Sequence, residues 1–174
     1  MSGDTGIRAV ERRDLGALRA WRIDPQVSRT ALGRRFPVTE VGEEEWFAGL
    51  AQGEFPTRVA WSVVDGNGGL VGLVRLADID WIHRTCWFGV WIAPESWGAG
   101  HGRGATVLAC GHAFRELGLR QVRLQVLASH PAARGIYEAV GFREEGTMRG
   151  AVLIDGSPED LVQMVLLPGT FTGS

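Results

Sequence analysis

The segment Trp97-Gly98-Ala99-Gly100-His101-Gly102-Arg103-Gly104 alternates glycine with other residues between the end of one apolar run and the start of another. Backbone amides bared by glycine, joined to the unpaired amides of a helix N-terminus, make an anion site suited to a pyrophosphate. Arg103 adds a cation there. Two well-known phosphate motifs do not fit. A Walker loop closes on Gly-Lys-Ser/Thr, and all 18 cationic Lys/Arg positions of this chain are arginine. A dinucleotide fingerprint sits in a parallel βαβ unit with Gly-x-Gly-x-x-Gly spacing, whereas the runs ahead of this loop read as antiparallel.

The elements that must hold this loop follow from periodicity. Ile7 to Val10 alternates like a short strand, and Asp14 starts a helix with Leu15, Leu18, Trp21 and Arg22 at helical spacing. Thr39 suits the N-cap of a second helix reaching Leu50, with Glu40, Glu43, Glu44 and Glu45 near its positive end. Arg58 to Asp65 and Leu70 to Ile79 read as a hairpin across Gly66-Asn67-Gly68-Gly69, and Thr85 to Ala93 adds a third strand before Pro94. Beyond the loop, a helix over Gly104 to Leu117 presents Val107, Leu108, Cys110, Ala113, Phe114 and Leu117 as an apolar stripe. Then come a strand Gln121 to Leu127 and a short helix Pro131 to Val140 capped by Gly141. Phe142 to Met148, Ala151 to Ile154 and Leu161 to Leu167 complete the strands, with a turn at Asp155-Gly156-Ser157.

Length and composition narrow the class. At 174 residues with 45% hydrophobic content, the chain reads as one domain over 1–174 with an ordered core of roughly 7–167. Met1 to Gly6 and Pro168 to Ser174 read as loose ends. No metal is expected: Cys86 and Cys110 are too few and isolated for a metal site or a disulfide framework, and read as reduced, partly buried thiols. A net charge of −2 gives no bulk attraction for nucleic acid. Neither an apolar stretch of spanning length nor a signal-like N-terminus is found, so a cytoplasmic location without membrane attachment is expected.

Two ordered motifs carry a family resemblance. Ile92-Ala93-Pro94-Glu95 precedes the loop, and His130-Pro131-Ala132-Ala133 leads into Tyr137-Glu138-Ala139-Val140-Gly141-Phe142. With Ile79-Asp80-Trp81-Ile82-His83-Arg84 upstream, the stretch from about Leu70 to Leu166 resembles the GNAT acetyltransferases, in the branch of the spermidine and ribosomal-protein-alanine N-acetyltransferases. Gly100 and Gly102 match that family's coenzyme A loop, Gln/Arg-x-x-Gly-x-Gly/Ala, while Trp97 departs from its first position. His130 stands where the family's second motif has asparagine. The resemblance implies an α/β fold of the α+β type: a mixed, mostly antiparallel sheet of six to seven strands, about four flanking helices, and a splay between two central strands. It implies acetyl-CoA as cofactor, with backbone groups of Ile92 and Ala93 bonding the pantetheine arm. Amides of Gly98, Ala99, Gly100, His101, Gly102 and Arg103 would hold the pyrophosphate. His130, Ala133 and Tyr137, spaced to share one helix face, would turn toward the thiol. A homodimer is also implied.

Acetyl transfer to an amine requires a proton acceptor for the ammonium, a donor for the carbonyl oxygen and a proton for the leaving thiolate. Tyr137 suits the last role, because a phenol keeps its proton at neutral pH. The base is expected among Asp78, His83 and Asp80, in that order, or as a water relay; many relatives carry a glutamate where this chain has Trp87. Alternation puts Trp87, Gly89 and Trp91 on one strand face, and Trp87 with Trp81 could wall an acceptor cleft. The basic Leu32-Gly33-Arg34-Arg35-Phe36 lies where polyamine-acetylating relatives look acidic, which argues against spermidine and makes Arg34 a candidate for an acidic group of the acceptor. The expected reaction is acetylation of a small-molecule primary amine: an amino sugar, amino acid derivative, antibiotic or polyamine. Acetylation of a protein N-terminus and acyl-CoA sensing without turnover stand as alternatives.

Overall fold

The computed structural model describes residues 4–30, 37–50 and 52–173. Its seven strands are β1 (Thr5–Ala9), β2 (Val59–Asp65), β3 (Leu70–Asp80), β4 (Thr85–Ile92), β5 (Gln121–Leu127), β6 (Arg143–Ile154) and β7 (Ser157–Leu166). They form one sheet in the order β1-β2-β3-β4-β5-β7-β6. Neighbours are antiparallel except β4 and β5, which run parallel. Connection length decides this: tight turns join β2 to β3 and β3 to β4, whereas β4 reaches β5 through a crossover helix. The helices are α1 (Leu15–Ile23), α2 (Pro25–Thr30), α3 (Glu40–Ala48), α4 (His101–Arg115) and α5 (Pro131–Val140).

Strand alternation sorts the apolar residues onto two faces. Val74, Leu76, Phe88, Val122, Leu124 and Met164 join Ala109 and Cys110 of α4 and Val140 at the end of α5 in the larger core. Burying each large side chain there stabilises the fold by about 1.5–3 kcal/mol. Their neighbours in sequence point the other way, where Ala60 and Leu73 meet Leu15 and Leu18 of α1 and Trp46 of α3. A buried charge fixes α1 to the sheet. Asp14, at the start of α1, accepts from Arg8 at 2.7 and 2.8 Å, from the Glu11 amide at 2.9 Å and from Ser62 Oγ at 2.8 Å. Burial alone would raise the Asp14 carboxyl, but these bonds, led by Arg8, outweigh it and hold it at about 2.

The expected elements are present with shifted limits. Thr39 is the N-cap of α3, its side chain accepting from the Gly42 amide at 3.0 Å. Helix α4 starts at His101 rather than Gly104, since Gly102 and Gly104 lie in its first turn and not in the loop. Leu108 falls off the apolar stripe and is 39% exposed. Helix α2 lies outside the expected set; Asp24 seeds it by accepting from the Gln26 amide at 2.7 Å, with Pro25 at the first helical position. The runs Phe142 to Met148 and Ala151 to Ile154 are one strand, the second forming the far end of β6. Neither chain end is loose throughout. Thr5 and Gly6 pair with β2, and Phe171 packs on Phe114 while Thr172 donates to the Val140 carbonyl at 3.0 Å.

Candidate functional site

Strand β4 runs out at Ile92 into a 3-10 turn, Pro94–Ser96, and the chain then turns twice through the left-handed region, at Gly98 (φ 81°) and Gly100 (φ 88°). A side chain at Gly100 would be strained in the geometry that starts α4. The first helical bond runs from the Gly104 amide to the Gly100 carbonyl at 3.1 Å. The consecutive amides of Gly98, Ala99, Gly100, His101, Gly102 and Arg103 therefore have no backbone acceptor among the described residues. This row of donors at the positive end of α4, with exposed Arg103 beside it, is a cradle for a diphosphate. The helix end is fastened from below. His101 is buried with Nδ1 2.9 Å from Thr5 Oγ1, and Gly104 lies so close to β1 that a Cβ would stand 2.7 Å from Thr5 Cβ.

The same turn abuts a gap in the sheet. Strands β4 and β5 pair only from Thr85↔Gln121 to Trp87↔Arg123; beyond that rung β4 continues to Ile92 and β5 to Leu127 without pairing. The Ala93 amide donates to Val71 of β3 at 2.8 Å, and its carbonyl accepts from the Ser96 amide at 2.9 Å. By antiparallel alternation, Trp91, Gly89 and Trp87 also turn their backbone groups to β3; the Phe88 amide serves the last rung with Arg123, leaving the Phe88 carbonyl and the backbone groups of Val90 and Ile92 facing the gap. An extended ligand carrying amides fits such an edge. The expectation for Ala93 is thus corrected: its backbone groups are already engaged, and the Phe88 carbonyl, both groups of Val90 and the Ile92 amide present the free ones. Trp97 reaches back over this edge, its indole Nε1 donating to the Ile92 carbonyl at 2.8 Å, while the ring stays 48% exposed.

Tyr137 approaches from α5, its ring set edge-on to Phe88 at 6.2 Å and to Phe142 at 5.7 Å. Burial, with a smaller push from Cys110, raises its phenol to about 12. The hydroxyl therefore keeps its proton across the neutral range and has it to donate there. Ala133, one turn before it, packs against the same core, and His130 caps α5 without a side-chain bond to the helix. The cysteines offer no nucleophile: burial raises Cys86 to about 12 and also pushes Cys110 well above the usual thiol range.

The three candidate bases occupy different places. His83 and Asp80 form an exposed pair in the β3–β4 turn, Asp80 Oδ2 2.8 Å from His83 Nδ1 and Oδ1 accepting the His83 amide at 2.8 Å. That amide bond first, and the ring bond second, lower the Asp80 carboxyl and make it a weaker base. Asp78 is exposed at an irregularity of β3 with φ 47°, next to Ala77, which is in register with Trp87. Among the three it stands nearest in register to the closed end of the gap. Trp81 does not join Trp87 in a wall. Its Nε1 donates to the Pro56 carbonyl at 3.0 Å and its ring packs on Phe55, whereas Trp87 lies half-buried on the strand face turned from the larger core. Arg34 lies outside the described residues. The gap-facing backbone of Phe88 and Val90, and Arg123 at the last rung, were not anticipated. Alternation would have placed them once β4 and β5 were known to be partners.

Comparisons with known proteins identify the family and the fold. The family model described as Acetyltransferase (GNAT) domain matches residues 5–143. The spermidine N(1)-acetyltransferase of Vibrio cholerae is 36% identical over 109 residues, covering 63% of this chain and 63% of that protein. A candidate ribosomal N-acetyltransferase, YdaF of Bacillus subtilis, is 33% identical over 111 residues, covering 62% of this chain and 58% of that one. The matched stretch thus spans less than two thirds of either relative. In three dimensions, the crystal structure of spermidine N-acetyltransferase from Vibrio cholerae in complex with CoA and spermine superposes with a TM-score of 0.88 at 28% identity, covering 96% of this chain and 97% of that one.

Proposed function

Because the chain belongs to the GNAT acetyltransferase family, we propose that it transfers an acetyl group from acetyl-CoA to a primary amine of a small molecule, by direct attack in a ternary complex. The observation that carries this reading is the run of unpaired amides from Gly98 to Arg103, set beside the unpaired edge of β4. One element fits a diphosphate and the other an amide-bearing arm, and the chain places them end to end. Acetyl-CoA supplies the activated acetyl thioester. The gap-facing amides of Val90 and Ile92 are fixed dipoles, ready to donate to a carbonyl oxygen as charge grows on it. Tyr137 holds a proton for the departing sulfur, and Asp78, directly or through water, takes one from the incoming ammonium; His83 and Asp80 are the reserve candidates.

The acceptor is an amino sugar, amino acid derivative, antibiotic or polyamine. The spermidine acetyltransferases among the relatives support the polyamine end of that range, and YdaF supports a protein N-terminus as a second reading. Trp87 and His130, at family motif positions, favour a third, acyl-CoA sensing without turnover. We place the protein in the cytoplasm. A homodimer along the exposed edge strand β6 belongs to the same reading. The test is release of free coenzyme A across an amine library, alongside calorimetry with coenzyme A. Saturable binding and thiol release with a small amine are expected. Binding without turnover on any amine would leave a sensor, and no binding at millimolar coenzyme A would remove the reading altogether.

A further inference from the structure

Partly buried arginines in this protein come with carboxylates, with one exception on the sheet face away from α4 and α5. Arg8, Arg19, Arg22 and Arg134 are each half-buried and each reaches an aspartate or glutamate. The described arginines that lack any contact, such as Arg58, Arg84, Arg103 and Arg143, are exposed and served by water. Arg123 is half-buried, yet its Nε is sealed from solvent with no acceptor. No ion pair or aromatic ring engages its guanidinium among the described residues. A guanidinium stays charged at any working pH, so partial loss of its water without a counter-charge is unfavourable. What is missing is an oxyanion, the partner whose geometry a guanidinium matches best.

The place of Arg123 says whose oxyanion. It is in register with Trp87 on the last rung before β4 and β5 part. Val122 and Leu124 on either side point into the core under α4, so Arg123 points to the opposite face, with Trp87. The core side of the gap is closed by Tyr137, Phe88 and Phe142. An acceptor must therefore come from the other face, and the cluster under α1 and α3 there draws on β2, β3 and β4 but on no residue of β5. Resting on the acetyltransferase reading above, we propose that Arg123 binds an anionic group of the acceptor. The substrate class is then a primary amine that also bears a carboxylate or a phosphate, and a polyamine, cationic throughout, meets repulsion at this position.

The experiment measures kcat/KM for free coenzyme A release with matched amines: β-alanine against β-alaninamide, aminoethyl phosphate against ethanolamine, and amino sugar phosphates against the free sugars, with spermidine beside them. The oxyanion member of at least one pair is expected to exceed its neutral partner by about tenfold to a hundredfold, the worth of one charged hydrogen-bonded contact. Which pair shows the larger ratio separates carboxylate from phosphate. Arg123→Gln should abolish that ratio through KM while leaving the KM for acetyl-CoA unchanged, and Arg123→Lys should restore part of it. Turnover of spermidine and the neutral amines with no advantage for any oxyanion partner would overturn the inference alone. So would an equal loss for both members of a pair in Arg123→Gln. Failure of every amine to give coenzyme A release would overturn it together with the acetyltransferase reading.

Discussion

The two ends of the gap between β4 and β5 are built from different material. At the open end, the proposed diphosphate cradle is backbone: consecutive amides from Gly98 to Arg103, positioned by left-handed turns at Gly98 and Gly100. At the closed end, the proposed acceptor face is side chain: Trp87 and Arg123 on the last paired rung, with Asp78 beside it. A backbone site depends on how the chain turns and tolerates changes in the side chains around it. A side-chain site can be rewritten one residue at a time without disturbing the fold. On that proposal, a chain can superpose on a spermidine acetyltransferase at a TM-score of 0.88 and yet set a half-buried arginine without a carboxylate beside the gap.

The sharpest way to break this division is at Tyr137, where the two ends meet. Tyr137→Phe keeps the ring against Phe88 and Phe142 but removes the proton donor. A drop in kcat of about a hundredfold is expected, with acetyl-CoA affinity nearly unchanged. With the phenol raised to about 12, its ionisation is expected to leave activity flat through the neutral range and into mild alkali. A decline near pH 9 to 10 that vanishes in Tyr137→Phe would contradict this placement of the tyrosine.

A smaller effect is expected at Gly100, where the cradle itself is tested. With φ at 88°, Gly100→Ala forces a side chain into a conformation that costs about 1–2 kcal/mol. Weaker binding of coenzyme A by about tenfold should follow, with the selectivity between amines preserved. A change in amine preference instead would mean that the two ends are not separable. Calorimetry with coenzyme A and the matched amine pairs read the two quantities independently.

What could be read from the sequence divides along the same line. The cradle was legible because glycine is a direct statement about backbone geometry, and so was α5, whose proline start and Gly141 cap are local signals. The start of α4 was placed too late because glycines within a first helical turn look like loop until the bond from Gly104 to Gly100 is known. Helix α2 is a single short stretch held by Asp24, too brief to show a period. Arg123 and the gap-facing backbone of Phe88 and Val90 were not legible, because they depend on the parallel pairing of β4 with β5 across an intervening helix. No local pattern encodes that pairing.

The finest test lies at Trp97, where the two kinds of site touch. Its indole N–H donates to the Ile92 carbonyl at 2.8 Å, one of the backbone groups facing the gap. In the family resemblance this position is a glutamine or arginine, so the contact is a feature of this chain's own side chain laid over a backbone site. A neutral hydrogen bond of this kind is worth about 1 kcal/mol net, and an amide-bearing arm that uses the same carbonyl must share or displace it. Trp97→Phe keeps the aromatic surface and deletes the donor, so coenzyme A should bind about two- to fivefold more tightly, with kcat unchanged. Weaker binding would assign the indole the opposite role, holding the Ile92 carbonyl in place for the arm, and the open end of the gap would then depend on a side chain after all.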